Sequence, residues 1–184
     1  MSEITVRALG EEDWQEYRTV RLAALQESPE AFVATFAEEE AYDEARWRSR
    51  MNRSDRLVAE RDGAQIGVLS LGLARTEDAE NAEGVEDPQI GEIFGLWVSP
   101  AARGTGAATR LVKEAARVAR KKGHSHIIYW VGTENGRAVA FASGIGFRPT
   151  GSRRPMGVVS EEDGDQEIAM ILSLAQQTGP QARF

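Results

Sequence analysis

The sequence contains no cysteine among its 184 residues. This absence excludes disulfide bonds, thiolate metal ligands and a cysteine nucleophile together. No apolar run approaches the roughly 20 residues that a membrane helix needs, and the N-terminal residues lack the basic stretch and apolar core of a secretory signal. We therefore expect a cytoplasmic protein that has no membrane partner.

Basic residues are also in the minority, since 22 Lys and Arg are outnumbered by 29 Asp and Glu and the net charge is −7 at pH 7. An acidic chain is a poor ligand for phosphate backbones, so we expect no nucleic-acid partner. The 41% hydrophobic and 28% charged residues are typical of a globular protein. At about 150 residues per domain, the length predicts a single domain over residues 1–175 and a disordered tail over 176–184.

Hydrophobic periodicity divides the chain into strands and helices. A short strand near residues 4–6 precedes a helix over 14–25, and a second helical stretch, in two pieces, reaches residue 51. The period then changes to that of strands around a hairpin signal at Asp62-Gly63. The further predicted elements are strands over 57–60, 65–73, 90–98, 127–131 and 168–172 and one that starts at Phe147, helices over 103–122 and 135–143, and a solvated acidic loop over 76–88.

Strand 90–98, helix 103–122 and strand 127–131 form a predicted βαβ unit, in which the strands run parallel and the crossover is right-handed. The order of the other elements predicts a mixed sheet with helices packed on it. The fold class is therefore α+β (mixed α/β), built of layers, rather than a helical bundle or a β-sandwich.

The turn between this strand and this helix has the features of a phosphate-binding site. A helix N-terminus presents unpaired N–H groups and a partial positive charge, and Gly104 and Gly106 allow close approach because they carry no Cβ. Residues 103–122 also contain seven Lys or Arg and a single Glu, which concentrates positive charge on an acidic protein. The alternative interpretation is a solvated basic helix whose C-terminal lysines favour the helix dipole.

Two common nucleotide-binding patterns do not fit this turn. A P-loop requires a Lys-Ser or Lys-Thr pair, which the turn does not have. A dinucleotide fingerprint requires Gly or Ala where Thr109 stands and an acid about 20 residues later, whereas residues 124–128 contain no acid.

The motif Arg103-x-x-Gly106-x-Ala108 resembles the signature of the GNAT N-acetyltransferase superfamily. Four further pieces occur in the order that the family has them, namely Leu96-x-Val98-x-Pro100, Asn135-x-x-Ala138, Gly146-Phe147 and Met170-x-Leu172. The resemblance implies a central mixed, mostly antiparallel sheet with a βαβ cofactor-binding unit and flanking helices. It also implies acetyl-CoA as the cosubstrate and no metal, and a homodimer is one assembly that the family often forms.

The resemblance further implies which residues contact acetyl-CoA. Backbone N–H groups around Leu96, Trp97 and Val98 would meet the thioester carbonyl, and Asn135 would hydrogen-bond the pantetheine arm in addition to capping its helix. The residues implied for the phosphates are Arg103, Gly104, Thr105, Gly106, Ala107 and Ala108.

The activity implied by the resemblance is direct attack on the thioester by a primary amine of a small molecule or peptide. An alkylamine with a pKa of about 10.4 is mostly protonated at pH 7, so a general base is useful. Glu92 is the candidate base, because a regular strand would place it with Ile90, Phe94, Leu96 and Val98 on one apolar face that raises its pKa. Trp97 would then face the opposite side. A solvated Glu92, or one turned outward by a bulge, is the alternative.

One departure from the family leaves the function open. The family often has a tyrosine seven residues after the motif asparagine, where this chain has Ala142, so Ser143 and Tyr129 remain as candidate proton donors. A non-catalytic acyl-CoA-binding sensor or scaffold is therefore the alternative function.

Three further sets of polar residues have a functional and a structural interpretation. The six acids of segment 76–88 favour a cationic acceptor, and a flexible solvated loop is the competing interpretation. His124 and His126 lack a third ligand and indicate a strand end rather than a metal site. Arg21 lies among apolar helical positions, which indicates a buried ion pair.

Overall fold

The computed structural model describes residues 2–76, 85–155 and 166–174. The predicted tail over 176–184 and residues 77–84 of the predicted acidic loop lie outside the described residues. The strands are β1 Thr5–Leu9, β2 Asp55–Arg61, β3 Ala64–Thr76, β4 Val85–Val98, β5 His126–Gly132, β6 Arg148–Pro155 and β7 Gln166–Ser173. The helices are α1 Trp14–Glu27, α2 Phe36–Glu40, α3 Glu44–Arg53, α4 Ala107–Lys121 and α5 Gly136–Ile145.

The strands form one sheet in the order β1-β2-β3-β4-β5-β7-β6. β4 and β5 are parallel, and the other neighbouring pairs are antiparallel. β4, α4 and β5 therefore make the βαβ unit that the sequence predicts. The α+β fold class, with a mixed and mostly antiparallel sheet flanked by helices, is confirmed.

The two faces of the sheet carry different helices, as the alternation along β2 demonstrates. Leu57 and Ala59 belong to a buried cluster that contains the apolar side of α4 and reaches α5, whereas Val58 belongs to a second cluster with α1 and α3. Because successive strand residues point to opposite faces, α4 and α5 cover one side and α1 to α3 the other. We call these sides the α4 face and the α1 face.

Two predicted boundaries of the βαβ unit differ from the structure. α4 begins at Ala107 rather than at residue 103, because Gly104 and Gly106 adopt φ angles of +79° and +88° that no helix contains. β3 ends at Thr76 and β4 begins at Val85, so the prediction of a loop over 76–88 is wrong at residue 76 and over residues 85–88. There the β4 backbone pairs with the end of β3, and this pairing outweighs the acidic composition.

Glu39 joins the three helices of the α1 face. Its carboxylate is 1% exposed and accepts hydrogen bonds from Arg21 of α1 and Arg50 of α3. Burial raises the pKa of Glu39, but the hydrogen bonds and charges of the two guanidinium groups outweigh it and hold the pKa below its usual value. Arg21 is thus the buried ion-pair partner that the sequence predicts.

Glu39→Gln is expected to lower the free energy of unfolding by about 2 kcal/mol at pH 7, because two half-buried arginines lose their shared, buried counter-charge. The pKa of Glu39 is lower in the folded state than in the unfolded state, so its stabilisation is present above the unfolded pKa and is lost as pH falls through the folded one. The difference between parent and variant in urea unfolding should therefore shrink in acid. Glu40→Gln, on the exposed side of α2, is the control and should change stability by less than about 0.5 kcal/mol.

Candidate functional site

β4 and β5 separate within the sheet. They pair at four positions, from Ile90 with His126 to Ile93 with Tyr129, and no later pair joins them among the described residues. The edge of residues 94–98 that faces β5 therefore has no strand partner, and backbone donors and acceptors along it are available to a ligand. We call this opening the strand gap.

A bulge at Gly95 changes which side chains border the gap. Gly95 has φ of +63°, and the β3–β4 register shifts at this point. A bulge inverts the alternation beyond it, so Trp97 lies on the α1 face with Glu92, while Leu96 and Val98 pack on the α4 face. The prediction that Glu92, Leu96 and Val98 share one face, opposite Trp97, is wrong because it assumed a regular strand.

The turn before α4 leaves an open space at Gly104 and Gly106, beside the N-terminus of this helix. We call this space the cradle. A Cβ built on Gly104 or Gly106 would have no heavy atom of the described structure within 4 Å. Gly106 is the N-cap of α4, and no side-chain hydrogen bond caps this end of the helix. Uncapped N–H groups beside an open cradle are the arrangement that binds phosphate.

A cavity of about 720 Å³ adjoins this cradle and is basic. Arg110 and Lys113 of α4 and Arg61 of the β2–β3 hairpin line it, together with one acid, Glu3. The three-residue spacing on α4 could have predicted that Arg110 and Lys113 share a side of the helix. No local pattern predicts Arg61 at this cavity, because only the pairing of strands in the sheet brings the β2–β3 hairpin close to the cradle.

The other residues of the turn hold its shape. The Nε of Arg103 donates to the carbonyl oxygen of Val98 at 3.1 Å, which ties the turn to the end of β4. The Thr105 hydroxyl donates to the carbonyl oxygen of Ala102, and Ala107 is buried while Ala108 is half-buried.

Asn135 lies just beyond the end of β5. Its Oδ1 accepts a hydrogen bond from the backbone N–H of Ala138 at 3.1 Å, so its predicted role as a helix cap is confirmed. Its N–H donates to the carbonyl oxygen of Gly132, the last residue of β5. Both strands that border the gap are therefore followed by a turn with candidate binding residues.

Glu92 is half-buried in a second cavity, of about 520 Å³, on the α1 face. Phe94 and Gly72 line the same cavity. The remaining lining includes four arginines, Arg50 and Arg53 of α3, Arg56 of β2 and Arg154 of β6. The predicted apolar surroundings of Glu92 are therefore wrong, because distant parts of the chain bring cations to this face.

The candidate proton donors Ser143 and Tyr129, and the position of Ala142 where the family often has a tyrosine, differ in how far they are buried. Ala142 is fully buried in the core of the α4 face, so its position supplies no acid. Ser143 is exposed on α5. Tyr129 lies at the last pair before the strand gap, and burial raises its pKa, which keeps the phenol protonated.

Comparison with known proteins gives a family for this arrangement. The family model described as the acetyltransferase (GNAT) family matches residues 14–147. An uncharacterised N-acetyltransferase of Methanocaldococcus jannaschii is 28% identical over 102 residues, which are 55% of this chain and 42% of that protein. The mycothiol acetyltransferase of Cellulomonas flavigena is 29% identical over 139 residues, which are 76% of this chain and 38% of that protein.

A solved structure supports the same fold. The yncA protein of Salmonella typhimurium, solved with its cofactor acetyl-CoA, has a TM-score of 0.70 at 20% identity, and the match covers 98% of this chain and 99% of that one. The chain belongs to the GNAT acetyltransferase family. It spans less than half the length of the two curated relatives.

The described residues contain neither a membrane-spanning helix nor a cluster of metal-binding side chains. No helix in residues 2–76, 85–155 and 166–174 combines the length and apolarity needed to cross a membrane. Within the same ranges, no three His, Asp or Glu side chains form a group that could hold a metal ion.

Proposed function

We propose that the chain transfers an acetyl group from acetyl-CoA to a primary amine of a small molecule or peptide. The observation that carries this proposal is the strand gap. It would give a ligand at the uncapped N-terminus of α4, on one face of the sheet, a way to the cavity of Glu92 on the other. A ligand held by its phosphates at Gly106 can therefore extend an acyl group through the sheet to an amine beside Glu92.

The residues of the α4 face fit acetyl-CoA in charge and in space. The open cradle at Gly104 and Gly106 would hold the diphosphate, and Arg61, Arg110 and Lys113 would bind a further phosphate. The unpaired edge of β4 at residues 96–98, together with Asn135, would hydrogen-bond the pantetheine arm. The cosubstrate supplies an activated thioester.

Glu92 would accept the proton that the acceptor ammonium loses, directly or through one water. The amine nitrogen then attacks the thioester carbonyl, so a C–N bond forms while the C–S bond breaks. Backbone N–H groups at residues 96–98 would stabilise the negative charge that develops on the carbonyl oxygen. The leaving thiolate takes a proton, for which the Tyr129 phenol beside the gap is the candidate donor, and the second proton that the nitrogen loses after attack restores the phenol through water.

The test is a thiol-release assay with acetyl-CoA and a panel of primary amines, paired with calorimetry of acetyl-CoA binding. Binding together with turnover of at least one amine supports the transferase. Binding without turnover of any amine would favour the sensor or scaffold, for which the buried Ala142 in place of a tyrosine is the supporting observation. Absence of binding would refute both functions.

Arg103→Ala is expected to weaken acetyl-CoA binding about tenfold, because the turn loses its tie to Val98 and a charge near the phosphates. Arg120→Ala removes the same charge from the exposed far end of α4 and should leave the Kd within about twofold. Calorimetry on both variants makes the comparison. Equal affinities would show that Arg103 has no part in cofactor binding.

A further inference from the structure

The cavity of Glu92 contains a buried arginine without a counter-ion. Arg56 is 4% exposed, and its guanidinium donates to the Ser70 hydroxyl at 2.6 Å and to the main-chain oxygen of Arg50 at 3.0 and 3.3 Å. Both acceptors are neutral, and no carboxylate of the described residues pairs with Arg56. Burial lowers the pKa of Arg56, Tyr17 opposes this, and the nearby arginines lower it further, so the pKa is below its usual value. A buried cation without a paired carboxylate costs free energy of folding unless a ligand supplies the opposite charge.

The other arginines of the cavity differ in how far they are neutralised. Arg50 is paired with Glu39, and Arg154 is paired with Glu167 and stacked on Trp130. Arg53, at the exposed C-terminal end of α3, makes no ion pair with a described residue. The cavity thus has two cations that make no ion pair with a described residue, with Arg56 at its buried end and Arg53 at its exposed end.

The sheet fixes where these cations lie relative to Glu92. Arg56 pairs with Ser70 and Ser70 with Phe94 in one row across β2, β3 and β4, and Glu92 lies two residues further along β4 on the same face. The Cα atoms of Arg56 and Glu92 are therefore roughly 12 Å apart. The Arg56 guanidinium lies 5.6 Å from the ring centre of Phe94, which is two residues from Glu92, and all three residues line the cavity.

We infer that the acetyl acceptor carries a carboxylate, or an anion of similar size, close to its amine, as an amino acid does. This inference rests on the proposed function. Arg56 and Arg53 bind the anionic group, which a guanidinium can hold through two parallel hydrogen bonds, and Glu92 faces the amine. Phe94, which is 39% exposed, offers an apolar surface to the rest of the acceptor.

The inference reverses the expectation of a cationic acceptor. That expectation used the acids of segment 76–88, whose residues 77–84 lie outside the described residues. The described cavity has four arginines and one carboxylate in its lining, and its electrostatic field therefore attracts anions.

The experiment compares L-amino acids with their carboxamides, which differ only in the anionic group, and with spermidine. Thiol release is measured with saturating acetyl-CoA. At least one amino acid should be acetylated with a kcat/KM at least tenfold above that of its carboxamide. Spermidine should be a poorer acceptor than this amino acid.

Three variants locate the binding of the carboxylate. Arg53→Gln and Arg56→Lys should each reduce the preference for acid over amide about tenfold, mainly through a higher KM, with the Kd of acetyl-CoA unchanged. Arg46→Gln, which removes a charge from the exposed side of the same helix α3 outside the cavity, should keep the preference. Arg53 is exposed, so its variant gives a result even if Arg56→Lys does not fold.

A preference for carboxamides or spermidine, an unchanged preference in Arg53→Gln, or acetyl-CoA binding without turnover of any amino acid would each overturn the inference. Turnover of other amines in these cases would leave the proposed transferase standing. Failure to bind acetyl-CoA would instead refute the proposed function itself.

Discussion

Gly106→Val should weaken acetyl-CoA binding at least 100-fold. Gly106 has φ of +88°, which a β-branched residue adopts only at a cost of about 1–2 kcal/mol. A Cβ at this position would occupy the open space beside the first turn of α4, where we propose that the diphosphate binds. The valine therefore both strains the turn and blocks the ligand, and calorimetric titration with acetyl-CoA measures the loss.

Gly123 provides a matched control at the other end of α4. It has φ of +83°, and a Cβ there would also have no heavy atom of the described structure within 4 Å. Gly123→Val thus introduces the same backbone strain, but about 15 residues, or roughly 22 Å of helix, away from the cradle. The two variants should lose similar stability in urea unfolding, while Gly123→Val keeps its acetyl-CoA affinity. Similar affinities in both variants would refute a phosphate site at Gly106.

The sequence predicts the βαβ unit well because its signals are local. The apolar spacing of α4, the glycines of the turn and the basic residues after it all lie within residues 100–122. A βαβ unit then follows from the order of the elements and the rule for its handedness. The structure confirms this unit and its parallel strands, and differs mainly in where the helix begins.

The cavity of Glu92 could not be predicted in the same way because its lining residues are distant in sequence. The bulge at Gly95 depends on the register between β3 and β4, which no local pattern specifies. Arg56 and Arg154 are almost 100 residues apart and meet only through the order of strands in the sheet. A net charge of −7 likewise gives no information about a cavity whose lining is basic.

Glu92→Gln should lower kcat/KM about 100-fold or more at neutral pH and leave the Kd of acetyl-CoA unchanged. Glutamine keeps nearly the same shape but cannot accept a proton from the acceptor. If the arginines of the cavity bind the anionic group of the acceptor, Glu92 is the carboxylate of its lining that remains for the amine. The loss should shrink as pH rises toward the pKa of the amine, about 10 for an alkylamine, because the acceptor then loses its proton to water.

The comparison that isolates the base uses two further variants. Glu134→Gln removes a carboxylate from an exposed position after β5, outside the cavity, and should keep the parent kcat/KM. Glu92→Asp keeps a base but withdraws it by one methylene group, so its activity should lie between those of the parent and Glu92→Gln. A pH profile of kcat/KM for all four proteins separates the base from a packing effect, since only loss of a base is restored at high pH. If Glu92→Gln were as active as the parent at pH 7, the proton would leave through water or another group.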